Sequence, residues 1–169
     1  MICVRHKIFL FFIVTGLVSC SHKKTLFESL SSSQTGIDFI NKVEENDKYN
    51  VLDYMNIYTG AGVAAGDVNN DGLVDLYFSG NENSGRLYIN KGDFKFEDVT
   101  EKAGLITSRW CTGVSMVDIN QDGWQDIYVS NDFFEKDYLY INQQDGAFKE
   151  SAEKYISEMS MNSMGADIA

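Results

Sequence analysis

The chain has 169 residues, with 25 Asp and Glu against 14 Lys and Arg for a formal net charge of −11, and it combines 44% hydrophobic residues with no proline. An apolar fraction near the globular average can bury a core, which argues against wholesale disorder, and one domain is the expectation from length. Surplus negative charge repels phosphate backbones, so nucleic acid is disfavoured as a partner and cations are favoured.

In chain order, the first predicted element is an export signal. Residues 1–7 carry Arg5 and Lys7, residues 8–18 form a largely apolar run, and Leu17-Val18-Ser19-Cys20 closes the segment. The apolar run is too short to span a bilayer as a helix, so residues 1–19 read as a signal peptide. The closing tetrad resembles the lipobox of bacterial lipoproteins. That resemblance implies that Cys20 is lipidated, that residues 20–26 are a tether, and that acyl chains anchor the protein at about 0.8 kcal/mol per buried methylene. Ser21 supplies no aspartate retention signal and residues 21–24 no acidic export cluster, so the outer membrane is expected, with either face open.

Cleavage would remove Arg5 and Lys7 but no acid, taking the net charge to −13. Cys3 and His6 leave as well. Cys111 is then the free thiol, no internal disulfide is possible, and His22 is the remaining imidazole. His22 lies on the tether, so Ser-His-Asp and Cys-His mechanisms have no base to work with. Cys111, between Trp110 and Thr112, reads as a buried structural thiol.

Residues 27–57 form an N-terminal segment. Its Phe27-Glu28-Ser29-Leu30 echoes Phe96-Glu97-Asp98-Val99 further on, which predicts a strand closing a sheet elsewhere.

The rest is organised by a repeat. Residues 62–77 align without a gap to residues 113–128 at an offset of 51, and Leu87-Tyr88-Ile89-Asn90 aligns to Leu139-Tyr140-Ile141-Asn142 at an offset of 52. A third copy begins at Gly165-Ala166-Asp167-Ile168-Ala169. Within the first copy, strands are predicted over 60–66, 75–79, 86–90 and 94–99, the last placing Phe94 and Phe96 on one face. Asn, Asp and Gly clusters separate them as turns. Four strands per 45 to 50 residues is the arithmetic of a β-propeller blade. The chain accordingly divides into a blade over 58–107, a second over 108–158 and the start of a third over 159–169. Residues 151–159 could form a short helix.

The acidic loops carry the chemistry. Asp67, Asn69, Asp71 and Asp75 occupy positions 1, 3, 5 and 9, with Gly72 at position 6. Asp118, Asn120, Asp122 and Asp126 repeat the pattern around Gly123. Alternate oxygens point inward, the glycine permits the sharp turn, and position 7 can offer a backbone carbonyl, from Leu73 or Trp124. Such hard oxygen donors suit Ca²⁺, about two ions in a structural role, and no His or Cys is there to recruit zinc or copper. An EF-hand is excluded, because position 12 is Phe78 or Val129 where a bidentate Glu is needed, and both flanks are strand-like. Gly60-Ala61-Gly62-Val63-Ala64-Ala65 satisfies a relaxed dinucleotide fingerprint, but it runs into Asp67 to Asp71 where a pyrophosphate would need a helix N-terminus. No nucleotide is expected.

The string Gly62-Val63-Ala64-Ala65-Gly66-Asp67-Val68-Asn69-Asn70-Asp71-Gly72-Leu73-Val74-Asp75-Leu76-Tyr77 resembles an FG-GAP/VCBS repeat, the blade of integrin α-type propellers. The phrasing around it, Phe96-Glu97-Asp98-Val99-Thr100-Glu101-Lys102-Ala103-Gly104-Leu105 with Phe27 to Leu30 and Thr35-Gly36-Ile37-Asp38-Phe39, is similar to the ASPIC/UnbV group, related to cartilage acidic protein and frequent among bacterial lipoproteins. The resemblance implies an all-β, partial β-propeller, integrin α N-terminal-like: two complete four-stranded blades, an N-terminal closing strand and the start of a third blade. It implies calcium in the inter-strand loops. It also implies a non-enzymatic role in protein or glycan binding or adhesion at the bacterial cell envelope. Two alternatives stand beside it, a scaffold subunit of an outer-membrane uptake complex and the non-catalytic part of a polysaccharide-acting enzyme. Because a ring typically takes four to eight blades, the chain reads as an N-terminal portion of a longer lipoprotein. The loop Asn131-Asp132-Phe133-Phe134-Glu135 offers aromatics that would either stack on sugars or pack against a neighbouring blade.

Overall fold

The computed structural model describes residues 26–48, 50–53, 57–105, 110–132, 135–160, 162–166 and 168. The signal segment, Cys20, Phe133 and Phe134 lie outside the described residues.

Period-two alternation and turn residues produce two meanders of the same design. The first blade contains β1 (Val63–Gly66), β2 (Asp75–Phe78), β3 (Arg86–Asn90) and β4 (Phe96–Asp98). The second contains β5 (Cys111–Val117), β6 (Asp126–Asn131), β7 (Tyr138–Asn142) and β8 (Phe148–Glu150). Each is a four-stranded antiparallel sheet in sequential order. Gly66 pairs with Asp75 and Val117 with Asp126, so an acidic loop closes the first hairpin of each blade. Short helices α1 (Ser32–Thr35) and α2 (Ala152–Tyr155) flank the sheets; within residues 151–159, which could have formed a short helix, only this single turn is helical. The architecture is the all-β, two-blade propeller type expected from the repeat.

Side-chain alternation assigns each blade two faces. Tyr77, Leu87 and Ile89 of the first blade join Ile127, Val129 and Tyr140 of the second in one buried cluster, with Cys111, Ala103 and Leu105 among them. Cys111 is 2% exposed, a buried thiol as its apolar setting suggests. The opposite face of the second blade, Leu139 and Ile141, packs with Ala152, Ile156 and Met159. Backbones approach closely at the boundary: a Cβ on Gly62 would lie 2.8 Å from Val114 N, so a larger residue there would push the blades apart.

One expectation changes. The fourth strand is shorter than residues 94–99, because Gly92, Asp93 and Phe94 all adopt positive φ and the turn closes through Lys95 N–H to Gly92 O at 2.9 Å. Phe94 is therefore 71% exposed and does not share a face with Phe96. Residues 27–30 carry no strand and Phe27 is 84% exposed; neither of the two described blades is the sheet they were expected to close. The described residues 162–166, at the expected start of the third blade, carry no strand. Ser163 N–H donates to Asn131 O at 2.9 Å, as Trp110 N–H donates to Asn81 O at 2.8 Å, so residues 163–166 run along β5 much as the second blade's entry runs along the first.

Candidate metal centre

The loop between β1 and β2 is shaped by its own side chains. Asp67 Oδ1 accepts from Asp71 N–H at 3.1 Å and its Oδ2 from Gly72 N–H at 2.8 Å. Asn69 Oδ1 accepts from Asp71 N–H at 3.1 Å, Asn69 Nδ2 donates to Asp71 Oδ2 at 2.9 Å, and Asp71 Oδ1 accepts from Leu73 N–H at 2.8 Å. Asx side chains stand in for backbone acceptors in tight turns, which is why these residue types fold this segment. Asn70 at φ 56° and Gly72 at φ 84° supply the left-handed steps, and the second loop repeats them at Gln121 and Gly123.

Asp75 differs from the others. It is fully buried at the start of β2, and its carboxylate accepts from Val68 N–H at 3.0 Å and from Asn90 N–H at 2.8 Å. Burial pushes its carboxyl above the ordinary aspartate range. The two N–H bonds oppose that shift, and the charges of Asp71 and Asp67 add to it. One residue thus ties the loop to the end of β3.

The second loop reproduces the first bond for bond. Asp118 accepts from Asp122 N–H at 3.0 Å and from Gly123 N–H at 2.8 Å, Asn120 Oδ1 from Asp122 N–H at 3.1 Å, and Asp122 Oδ1 from Trp124 N–H at 2.9 Å. Asp126 is fully buried, accepts from Ile119 N–H at 3.0 Å and Asn142 N–H at 2.8 Å, and is likewise raised by burial. Asp122 moves the other way: the Asn120 amide, then Trp124 N–H, hold its carboxyl below the usual range.

The structure thus places Asp67, Asn69, Asp71 and Asp75 in one loop and Asp118, Asn120, Asp122 and Asp126 in the other. Leu73 and Trp124, expected to contribute carbonyls, enter these loops through their N–H groups. Among the described residues no group of three or more Asp, Glu, His or Cys side chains closes into a metal shell; the oxygens are turned onto the loops' own amides. The donor chemistry still fits a hard cation. Each loop brings three carboxylates and an amide oxygen, each oxygen has two lone pairs, and none of the four ion pairs among the described residues reaches a loop carboxylate.

Sequence reasoning missed Asn90 and Asn142, which fasten each buried aspartate to the third strand. The available signal was an identical polar residue at the end of an otherwise apolar strand in both repeats. Elsewhere, an open groove of about 880 Å³ runs past Arg86, Asp98, Thr100 and Glu101, and its Arg86 Nε is already paired with Asp98 Oδ2 at 3.2 Å. At the end of β6 and just beyond it, Asn131 and Asp132 are buried at 0% and 4% exposure, so the first residues of this segment face the protein interior.

Comparison with known proteins agrees with the repeat. A family model described as an FG-GAP-like repeat matches residues 67–129 and 118–169, together more than half of the chain. Integrin alpha-3 of Cricetulus griseus is 34% identical over 107 residues, covering 55% of this chain and 10% of that protein. Integrin alpha-PS5 of Drosophila melanogaster is 37% identical over 95 residues, covering 50% and 10%. Cartilage acidic protein 1 of Xenopus tropicalis is 33% identical over 79 residues, covering 46% and 12%. The chain spans about a tenth of the length of these relatives.

Proposed function

The chain belongs to the FG-GAP-like repeat family, an integrin-α-like group of β-propeller repeats, and on that premise we propose that its two acidic loops bind calcium and brace a non-enzymatic binding module of the bacterial cell envelope. The observation that carries this reading is the repetition of the loops. Six loop carboxylates, two of them fully buried, recur in matching hydrogen-bond patterns, with one added bond from Gln144 to Asp122, and without a Lys or Arg partner among the described residues. Like charges held this close repel, and a divalent cation in each loop relieves that repulsion. Asp67, Asn69, Asp71 and Asp75 would hold one ion, with the Leu73 carbonyl available, and Asp118, Asn120, Asp122 and Asp126 the other, with that of Trp124. Bound calcium supplies charge neutralisation and cross-linking of a hairpin; two ions take the mature charge from −13 to −9.

The module would bind a protein or glycan, as adhesion propellers do, and lipidated Cys20 would hold it at the outer membrane. A Cys20→Ser variant is then expected in the soluble fraction; if it stays with the membrane, anchoring through Cys20 is wrong.

Calorimetric titration of the full chain with calcium, alongside melting in calcium and in chelator, tests the metal reading. Saturation near two ions is expected. Calcium at about 100 times its Kd should stabilise the fold by about 2.7 kcal/mol per independent site, because only the folded state binds. No binding heat and identical melts would overturn it.

A further inference from the structure

Resting on the calcium reading, we propose that Asn142 couples the two loops, so that a cation held by one tightens the binding of the other. Asn142 ends β7 and is 3% exposed. Its backbone N–H donates to Asp126 Oδ1 at 2.8 Å, position 9 of the second loop. Its side-chain amide donates to Gln125 O at 3.1 Å and, across the blade boundary, to Val68 O at 2.8 Å. Val68 is position 2 of the first loop, between Asp67 and Asn69, and its own N–H donates to Asp75 Oδ2 at 3.0 Å. An unbroken hydrogen-bonded line therefore joins Asp126, Asn142, Val68 and Asp75, and all four residues are buried.

The first blade contains its own control. Asn90 makes the same bonds within its blade: N–H to Asp75 Oδ1 at 2.8 Å, Nδ2 to Val74 O at 2.9 Å, and Oδ1 from Gly92 N–H at 2.9 Å. Asn142 Oδ1 accepts from Gln144 N–H at the same 2.9 Å. The bond to Val68 is what Asn142 has beyond Asn90 among the described residues. A cation in the first loop fixes Asp75 and the backbone at position 2, hence the carbonyl to which Asn142 donates. Asn142 in turn holds Asp126. Part of the ordering cost of the second loop is then met by filling the first, and the coupling is reciprocal. Repulsion between the two sites opposes this, but each filled loop retains a net charge of −1, and at physiological ionic strength screening acts over about 8 Å.

The test is a calcium titration of the full chain at that ionic strength, read by calorimetry and by terbium luminescence sensitised through Trp124, which lies in the second loop. The first loop is weakened with Asp71→Asn, which keeps an acceptor for Leu73 N–H. The second loop's affinity is expected to fall about 5-fold or more in Asp71→Asn. In the Asn142→Ala background the same substitution should change it by less than about twofold, whereas Asn90→Ala should leave the 5-fold effect in place. If Asn142→Ala does not fold, Asn142→Asp, nearly isosteric and without the amide donors, takes its place, with Asn90→Asp as control. Two ions bound independently by the unsubstituted chain, coupling that survives the loss of the Asn142 amide, or coupling lost equally with Asn90 would each overturn the proposal while leaving calcium binding intact. Failure of the unsubstituted chain to bind either ion would instead remove the calcium reading and this proposal together.

Discussion

At position 9 of each loop, an aspartate holds a carboxylate where water cannot reach it. Asp75 and Asp126 are fully buried, yet each has two backbone N–H donors, so the cost of burial is offset by charge-assisted hydrogen bonds that also set the loop entrance. Asp67, at position 1, accepts two N–H groups as well, but these lie in the exposed part of the loop, where water can replace them. The two residues should therefore respond differently to truncation. In chelator, Asp75→Ala strands two N–H groups and is expected to cost about 2–6 kcal/mol, at about 1–3 per unsatisfied group, while Asp67→Ala should cost about 0.5–1.5 kcal/mol. Urea denaturation of both variants measures the contrast; equal losses would show that burial at position 9 contributes nothing beyond turn formation.

At the scale of elements, the N-terminal segment is held by side chains and not by a strand ladder. Tyr88 on β3 donates its hydroxyl to Asp38 Oδ1 at 2.9 Å, Phe39 lies against Phe78 with ring centroids 5.3 Å apart, and Asn41 Nδ2 reaches Asn81 Oδ1 at 2.6 Å. Burial, followed by the bond to Asp38, pushes the Tyr88 phenol up to about 12. Because the folded value lies above the unfolded value of about 10, the stabilisation is fully present below pH 10 and is lost as pH rises through 12. Tyr88→Phe is thus expected to destabilise the chain by about 1.5–3 kcal/mol at neutral pH, as for a hydrogen bond to a charged group, and by progressively less above pH 10. A urea midpoint difference that stays constant from pH 7 to pH 12 would refute that assignment. These contacts also mark what the sequence could convey. Strand positions and the paired acidic loops were legible, because period-two alternation, Asx-Gly turns and repetition at a fixed offset are local signals. Phe94 misled: its alternation fits a strand, but Gly92 starts a left-handed turn that carries it out of register. Asn142 escaped notice because its role depends on Val68, 74 residues away.

Across the whole molecule, the repeat explains which side chains are apolar on each blade face. Position 86 is Arg where its counterpart is Tyr138, and the difference follows the environment: Tyr138 stacks on Tyr140 with centroids 5.8 Å apart beside the cluster shared by the two blades, whereas Arg86 lines the open groove and pairs with Asp98. Since Tyr77, Leu87 and Ile89 form one core with Ile127, Val129 and Tyr140, neither blade buries its apolar face alone. Stability in such a stack is the sum of weak intrinsic terms and a strong interface term. The two blades should therefore unfold in a single transition, with calorimetric and van't Hoff enthalpies equal. Leu87 is 1% exposed within the shared cluster, so Leu87→Ala is expected to cost about 2–5 kcal/mol through lost transfer energy and the cavity left behind. That loss should appear in the second blade as well as the first: amide exchange at β6 and β7, which carry no substitution, should accelerate together with exchange at β2 and β3. Exchange that quickens in the first blade while β6 and β7 stay protected would mean that the blades are independent units, and that the cross-blade contacts at Gly62, Val68 and Asn142 order the boundary without stabilising it.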